Sequence, residues 1–282
     1  MYPASFEYYK ATSVADAIGR LVANPDAKIL AGGHSLIPAM KLRLATPGEL
    51  VDLGGLADLK GITFDGGARI GAMATYNEVR DHAELAAAYP ILVQAINRIG
   101  DQQVRARGTL GGSLAHNDPA ADLTAVFLAL GGEVTVQGTD GERVIAADDL
   151  LVDLWTTSLD VNEIITEVRL PALAAGTIQA YEKHSHPASG YAVVGVAVVI
   201  GVEGGNVTSA RIAITGATST STRATGSETA LIGQALTSEN IAAAANLAAD
   251  GLDINGDHYA STEYRAHLVK VLTRKALEKA SA

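Results

Sequence analysis

Cysteine is absent from the 282-residue chain. A chain without thiols forms no disulfide, no thiolate zinc site and no cysteine-ligated iron–sulfur cluster, and it offers no cysteine nucleophile. Any iron–sulfur chemistry connected with this protein therefore requires another chain.

Long apolar runs and an excess of basic residues are missing as well. No 18 consecutive apolar residues occur, and the start, MYPASFEYYK, lacks the basic and apolar regions of a signal peptide. Lys and Arg total 21 against 31 Asp and Glu, and the net charge of -10 opposes binding to nucleic acid and to anionic membrane surfaces. We therefore expect a cytoplasmic protein with no transmembrane segment and no nucleic-acid partner.

Two common nucleotide-binding patterns, GxGxxG and GxxxxGK[ST], do not occur in the sequence. What the sequence has instead is two segments centred on Gly-Gly, AGGHS at 31–35 and TLGGS at 109–113. Consecutive glycines permit positive φ and bring backbone N–H groups close to a ligand, so such loops can cradle a pyrophosphate without Lys or Arg. A tight turn between packed elements is the alternative interpretation of each segment.

Apolar periodicity predicts a mixture of helices and strands. The first part indicates a small βαβ unit: a helix capped by Ser13, a strand at 28–30, a helix opened by Pro38 and a strand at 50–53. Further strands are predicted at 68–71, 133–137, 163–170, 192–201 and 210–215, and further helices at 76–88, 91–100, 122–130, 227–236, 240–249 and from 263 onward. The segment 108–113 is predicted to be a loop.

Several segments resemble one known family. AGGHSLIPAMKLRLA at 31–45 and RGTLGGS at 107–113 are similar to the two FAD-binding signatures of the medium subunit of carbon monoxide dehydrogenase and related molybdenum hydroxylases. The similarity continues through NDPAAD at 117–122, YEK at 181–183, YAVVGVA at 191–197 and YRAHLVKVLTRKAL at 264–277. The resemblance therefore covers nearly the whole chain.

The resemblance implies an α+β fold. In this fold, a two-lobed PCMH-type (vanillyl-alcohol-oxidase-like) FAD-binding domain is followed by a C-terminal α+β domain with a three-stranded antiparallel sheet and helices. On this basis we expect an N-terminal FAD-binding lobe at 1–57, a second FAD-binding lobe at 58–175 and a C-terminal CO-dehydrogenase-flavoprotein-like domain at 176–282.

The resemblance also implies a cofactor site. The first glycine segment is expected to wrap the FAD pyrophosphate and the second to complete the cradle, while Asp122 binds the adenosine part and Ile165 lies beside the adenine. Lys183 is expected near the FAD, and Tyr191 close to the isoalloxazine ring. The predicted cofactor-binding residues are Ala31, Gly32, Gly33, His34, Ser35, Leu36, Thr109, Leu110, Gly111, Gly112, Ser113, Asp122, Ile165, Lys183 and Tyr191.

Simpler roles remain open for some of these residues. Asp122 can be an ordinary carboxylate at a helix N-terminus, Lys183 a solvated charge at a strand end, and Tyr191 part of the core. We expect no catalytic role for His34 and no essential nucleophile or general base, because a flavin performs the redox chemistry itself. No metal ligands are predicted.

One segment departs from the family pattern. Relatives commonly have an arginine and Gly-Asp-Tyr-Ala after the lysine, whereas Lys183 is followed here by HSHPASGYA at 184–192. His184 and His186 would face the same side of an extended chain, but two potential ligands without a third are weak evidence for a metal, and we interpret the segment as a polar loop.

The function implied is that of an oxidoreductase subunit. It would hold FAD, take electrons from [2Fe-2S] clusters in a small partner subunit, and pass them to an external acceptor, while a large molybdopterin subunit oxidises the substrate. An (αβγ)2 heterohexamer is expected. A stand-alone FAD oxidase or reductase of the same fold and a non-catalytic scaffold are the alternatives.

Overall fold

The computed structural model describes residues 2–282, and its first lobe is a small parallel βαβ unit. Its three strands are all parallel, in the order β1-β3-β2. The elements are β1 (Glu7–Lys10), α1 (Val14–Ala23), β2 (Ala27–Leu30), α2 (Leu36–Lys41) and β3 (Glu49–Asp52), followed by a 3-10 turn at Ala57–Leu59. Because parallel strands end at the same edge of a sheet, the segments that follow β2 and β3 lie side by side.

The second lobe contains a five-stranded antiparallel sheet in the order β4-β5-β10-β6-β7, with helices packed against it. A two-stranded sheet, β8-β9, adjoins it. The elements are β4 (Ile62–Phe64), β5 (Gly67–Gly71), α3 (Tyr76–Asp81), α4 (Ala83–Ala88), α5 (Pro90–Ile96), α6 (Gln102–Arg107), α7 (Leu110–His116), α8 (Asp122–Leu130), β6 (Glu133–Gly138), β7 (Gly141–Ala146), α9 (Ala147–Leu150), β8 (Leu151–Asp153), β9 (Thr156–Thr157) and β10 (Ile164–Pro171).

The C-terminal domain has three long antiparallel strands with helices against one face. A two-residue strand, β14, extends the sheet at the edge of β13. The elements are β11 (Thr177–Ser185), β12 (Ala192–Glu203), β13 (Asn206–Thr215), β14 (Thr222–Arg223), α10 (Thr225–Leu231), α11 (Ser238–Asn246) and α12 (Thr262–Ser281). The expected α+β fold is therefore confirmed, with β14 as a short addition to the predicted three-stranded sheet.

Helix α8 connects the second lobe with the C-terminal domain. All nine of its residues are buried, as expected for a helix that is apolar on every side. It packs against α5 and β10 on one side and against β12 and β13 on the other. Its first residue, Asp122, is therefore held between two sheets rather than at the surface.

Some predicted elements differ from the observed ones. The helix predicted at 76–88 is broken at His82, whose ring caps α4 by accepting from the Leu85 amide, and the helix predicted at 91–100 ends at Ile96. The helix expected to open at Pro38 begins at Leu36. The loop predicted at 108–113 is wrong for its last four residues, since residues 110–116 form α7. None of the helices between residues 2 and 282 combines the length and apolar character needed to cross a bilayer.

Candidate cofactor-binding site

The two glycine segments come from different lobes, and the backbone of the first meets the backbone just before the second. A Cβ atom at Gly32 would lie 2.0 Å from the carbonyl oxygen of Arg107, and a Cβ at Gly112 would lie 3.5 Å from the Cβ of Ala31. Any side chain at position 32 would therefore push the lobes apart. Glycine is required there for close approach rather than for an unusual φ.

The first glycine segment presents a row of free backbone donors. It leaves β2, turns through Gly33 with φ +77 and enters α2. The carbonyls of Gly33 and Ser35 accept from Ile37 and Ala39, which closes the first turn of the helix. The amides of residues 32–36 donate to no group within the described range 2–282. Five consecutive donors at a helix N-terminus suit a phosphate-bearing ligand.

The second glycine segment forms the N-cap and first turn of α7, and the amides of its residues 110–113 are already used. Thr109 caps the helix by accepting from the Gly112 amide, and the Leu110 and Gly111 amides donate to Ala74 and Ala72. A Cβ at Gly111 would lie 2.6 Å from the Cβ of Ala72. The residues 110–113 therefore shape the site through close packing, whereas most of the free donors come from the first segment.

A narrow cleft of about 110 Å³ lies between the two segments. It is lined by Ala31, Gly32, Gly54, Lys60, Met73, Thr75, Glu78, Ala106, Arg107 and Thr109. A larger surface pocket of about 280 Å³, beside Gly66 and Pro171, contains none of the predicted site residues. The small cleft is therefore the one that the glycine segments form.

Tyr76 packs against the backbone just before the second glycine segment. Its ring lies where a Cβ at Gly108 would be, at 2.6 Å from Cε2. Burial raises the pKa of Tyr76 to about 12, although a hydrogen bond with Ser113 opposes the shift. Ser113 is therefore engaged with Tyr76, a residue that the sequence analysis did not single out.

Asp122 and Lys183 form an ion pair that is buried away from solvent. Lys183 Nζ lies 2.8 Å from Asp122 Oδ2 and also donates to the carbonyl of Arg98, while the Tyr181 hydroxyl donates to Asp122 Oδ1. The side chains of Asp122 and Lys183 are 6% and 0% exposed. Burial raises the pKa of the Asp122 carboxyl, which Lys183 opposes. Neither residue lines the cleft between the glycine segments, and the direct contacts with FAD expected of Asp122 and Lys183 stay predictions.

Two further predicted residues, Ile165 and Tyr191, differ in their exposure to solvent. Ile165 is buried in β10 and belongs to the core of the second lobe. Tyr191 is 45% exposed and immediately precedes β12, whose first amide, that of Ala192, donates to the Ala120 carbonyl. Partial burial and the nearby Asp118 carboxylate raise the pKa of the Tyr191 hydroxyl. Tyr191 is thus an accessible ring, not the core residue of the alternative interpretation.

The histidines that follow Lys183 pack on tyrosines of the C-terminal domain. The His184 ring lies edge-on to Tyr264 with centroids 6.2 Å apart, and the His186 ring lies 4.3 Å from that of Tyr259. Among residues 2–282 no group of three or more His, Cys, Asp or Glu side chains could hold a metal ion. The segment 184–192, which departs from the family pattern, is therefore held in place by aromatic packing.

Asn117, the first residue of the NDPAAD motif, has a structural role that its sequence position did not reveal. It ends α7 in the left-handed conformation, with φ 45, and is fully buried. Its side-chain amide donates to the carbonyls of Asp153 and Thr156, and its side-chain oxygen accepts from the Thr220 hydroxyl. Asn117 therefore attaches both the β8-β9 sheet and the C-terminal domain to the end of α7.

Comparison with known proteins gives full-length matches. Residues 4–173 match the family model described as FAD binding domain in molybdopterin dehydrogenase, and residues 179–280 match CO dehydrogenase flavoprotein C-terminal domain. The chain is 37% identical to the carbon monoxide dehydrogenase medium chain of Hydrogenophaga pseudoflava, over 100% of this chain and 99% of that one. It is 39% identical to the 6-hydroxypseudooxynicotine dehydrogenase complex subunit alpha of Paenarthrobacter nicotinovorans, over 99% and 96%.

A solved structure agrees with these matches. Carbon monoxide dehydrogenase from Hydrogenophaga pseudoflava superposes with a TM-score of 0.96 at 38% identity, over 100% of this chain and 99% of the matched chain. The free amides of the first segment and the close approach at Gly32 fit a dinucleotide phosphate. The chain therefore belongs to the FAD-binding medium-subunit family of the molybdenum-containing dehydrogenases.

Proposed function

We propose that this chain is the electron-transfer subunit of a molybdenum hydroxylase complex. It would take electrons from [2Fe-2S] clusters of a small partner subunit and deliver them to an external acceptor, while a large molybdopterin subunit oxidises the substrate. The observation that carries the proposal is the end-to-end match to medium chains, which by name are single parts of larger enzymes. The absence of cysteine in all 282 residues supports it, because the iron ligands must then lie on another chain.

The chain's own residues would bind and orient the cofactor. Bound FAD supplies chemistry that connects one-electron carriers with two-electron acceptors. The amides of residues 32–36 would hold its pyrophosphate, and α7 would close the cradle from the second lobe. Tyr191, exposed before β12, would lie against the isoalloxazine ring. We further propose that Ile165 borders the adenine, that Asp122 binds the adenosine part and that Lys183 lies near the FAD.

The assembly proposed is a heterotrimer doubled to an (αβγ)2 heterohexamer in the cytoplasm. The sequence of this chain does not select the substrate, since relatives of similar identity are named for carbon monoxide and for 6-hydroxypseudooxynicotine. The large subunit would make that choice.

The decisive experiment is the visible spectrum of the chain expressed alone and with the chains encoded beside it. We expect the absorption of oxidised flavin, release of FAD by acid, and bleaching by substrate only when the partners are present. Bleaching of the isolated chain by an organic substrate would instead favour a stand-alone oxidase or reductase. Failure to take up FAD even in the complex would leave only the scaffold.

A further inference from the structure

The cleft between the glycine segments contains two cations with no ionic partner. Lys60 and Arg107 both line it. Neither forms an ion pair with any residue of the described range 2–282, although carboxylates outnumber basic residues in this chain. Both side chains are exposed, and in a protein of net charge -10 they give this cleft two cations that can face an anion.

The backbone places both residues beside the cleft. Arg107 ends α6, and its carbonyl oxygen occupies the place that a Cβ at Gly32 would need, so Arg107 is held against the first glycine segment. Its guanidinium donates no hydrogen bond to residues 2–282. Lys60 follows the 3-10 turn, and its ammonium group is 3.1 Å from the carbonyl of Gly54, at the edge where β3 ends.

The local charge at the cleft is positive. Glu78 is the one carboxylate among its lining residues, and its Oε2 accepts from both the amide and the hydroxyl of Thr75, each at 2.7 Å. Two cations and one hydrogen-bonded carboxylate give a net charge of about +1 beside the free amides of residues 32–36. This arrangement selects a ligand with adjacent negative charges.

We propose that Lys60 and Arg107 are charge partners of the FAD pyrophosphate, one following the 3-10 turn after β3 and the other ending α6. The inference rests on FAD occupying this cleft, as in the proposed function. It adds a side-chain electrostatic component to the backbone cradle that the glycine segments predict. The two cations favour a dinucleotide, whose diphosphate carries two charges, over a flavin with less phosphate.

The test measures FAD affinity in the assembled complex after flavin removal, by the quenching of FAD fluorescence. Lys60→Gln and Arg107→Gln are each expected to raise the Kd about three- to tenfold at low salt, because a partly exposed charge pair is worth roughly 1 kcal/mol. Both variants should also show a weaker dependence on salt up to about 0.15 M. Lys60→Arg, which keeps the charge, should retain the affinity of the unchanged protein.

A matched control is Lys28→Gln, an exposed lysine of β2 outside the cleft, which should leave the Kd unchanged. Competition by ADP distinguishes the diphosphate from the flavin ring: the two cleft variants should weaken ADP and FAD binding in parallel. Equal affinity of variants and unchanged protein for both ligands would overturn the inference and leave FAD binding intact. A loss for FAD alone would also overturn it, since the effect would then lie at the ring. If the unchanged complex takes up no FAD, the proposed function fails as well.

Discussion

Lys183 and Asp122 form an ion pair of 2.8 Å that joins the first strand of the C-terminal domain to the first residue of α8. Both side chains are almost completely removed from water, and Tyr181 and the Arg98 carbonyl supply the remaining hydrogen bonds. Removing one partner would strand a charge in the core. The pair therefore makes the attachment of the C-terminal domain depend on complete charge compensation.

We predict that Lys183→Met lowers the free energy of unfolding by about 3–5 kcal/mol, because it leaves the Asp122 carboxylate buried and unpaired. The matched control is Lys279→Met, which removes an ion pair with Glu182 whose side chains are 43% and 22% exposed and should cost below about 1 kcal/mol. Urea unfolding of the three proteins checks the difference. Equal losses for the two variants would contradict a buried pair.

Adding Asp122→Leu to Lys183→Met should recover part of the lost stability, since the double variant contains no uncompensated charge. The same urea series measures the coupling. FAD affinity is also expected to fall in a folded double variant, because Asp122 and Lys183 are proposed to lie at the FAD. An affinity equal to that of the unchanged protein would show that the pair does not contribute to the cofactor site.

Gly32→Ala should separate the lobes at the cofactor site. The new Cβ would lie 2.0 Å from the Arg107 carbonyl oxygen, which belongs to backbone and cannot turn away. We expect loss of bound FAD and destabilisation by more than about 2 kcal/mol, as for overpacking at a rigid contact. FAD content after gel filtration and the unfolding midpoint provide the two readouts.

The comparison for Gly32→Ala is Gly19→Ala. Gly19 lies within α1, and a Cβ there meets nothing within 4 Å. This substitution should stabilise the protein by about 0.5–1 kcal/mol, because glycine is unfavourable inside a helix. If Gly32→Ala also retained FAD and stability, the contact between the two glycine segments would not exist in solution.

Tyr76 should make the protein sensitive to alkali. Burial raises its pKa to about 12 from the ordinary value of 10.0. Below pH 10 the residue is neutral in both the folded and the unfolded chain, and its contribution to stability is fully present. Between pH 10 and 12 only the unfolded chain loses the proton, so stability should fall by up to about 1.4 kcal/mol per pH unit.

Tyr76→Phe is therefore expected to reduce the loss of stability between pH 10 and 12, although it removes the hydrogen bond with Ser113 at neutral pH. Tyr2→Phe, at a side chain that is 87% exposed, should leave the pH profile unchanged. Urea midpoints at several alkaline pH values test this. An identical slope for Tyr76→Phe and the unchanged protein would exclude the proposed burial of the hydroxyl.

Asn117→Gly and Asn117→Ala should differ in a defined direction. Both lose the hydrogen bonds to Asp153, Thr156 and Thr220 and leave buried groups unpaired, which costs about 1–3 kcal/mol for each group. Alanine must in addition adopt the left-handed conformation, at about 1–2 kcal/mol. Thermal unfolding should rank the unchanged protein as the most stable, the glycine variant second and the alanine variant last. The reverse order of the two variants would show that the backbone relaxes at this position.

Strong local signals in the sequence predict the structure well. The helix expected at 122–130 matches the observed α8, because an acidic first residue, a continuous apolar run and Gly131 in the left-handed conformation all act locally. The family resemblance adds the fold of the whole chain. Strand β1 has no such signal, since EYYK shows no apolar alternation and its residues are mostly exposed. It becomes a strand only by pairing with β3.

Helix α7, which contains the second Gly-Gly pair, could not be predicted for a different reason. Two glycines in seven residues argue against a helix, yet Thr109 at its start and Asn117 at its end cap both termini. Long-range pairs have no signal in the sequence. Asp122 and Lys183 are 61 residues apart, and Lys60 and Arg107, which are 47 positions apart, line the same cleft only in the folded chain. The i, i+2 spacing of Tyr181 and Lys183 does place both on one face of a strand.

The loop at 117–121 has a consequence for biosynthesis. Thr215, near the end of β13, donates to the carbonyls of Pro119 and Ala121, and the Gly216 amide donates to Pro119 as well. The ribosome therefore synthesises the first glycine segment long before Thr215 and Gly216, which hold the loop that follows α7. The N-terminal lobe alone would bind flavin poorly during translation, and we expect FAD to bind after release of the finished polypeptide.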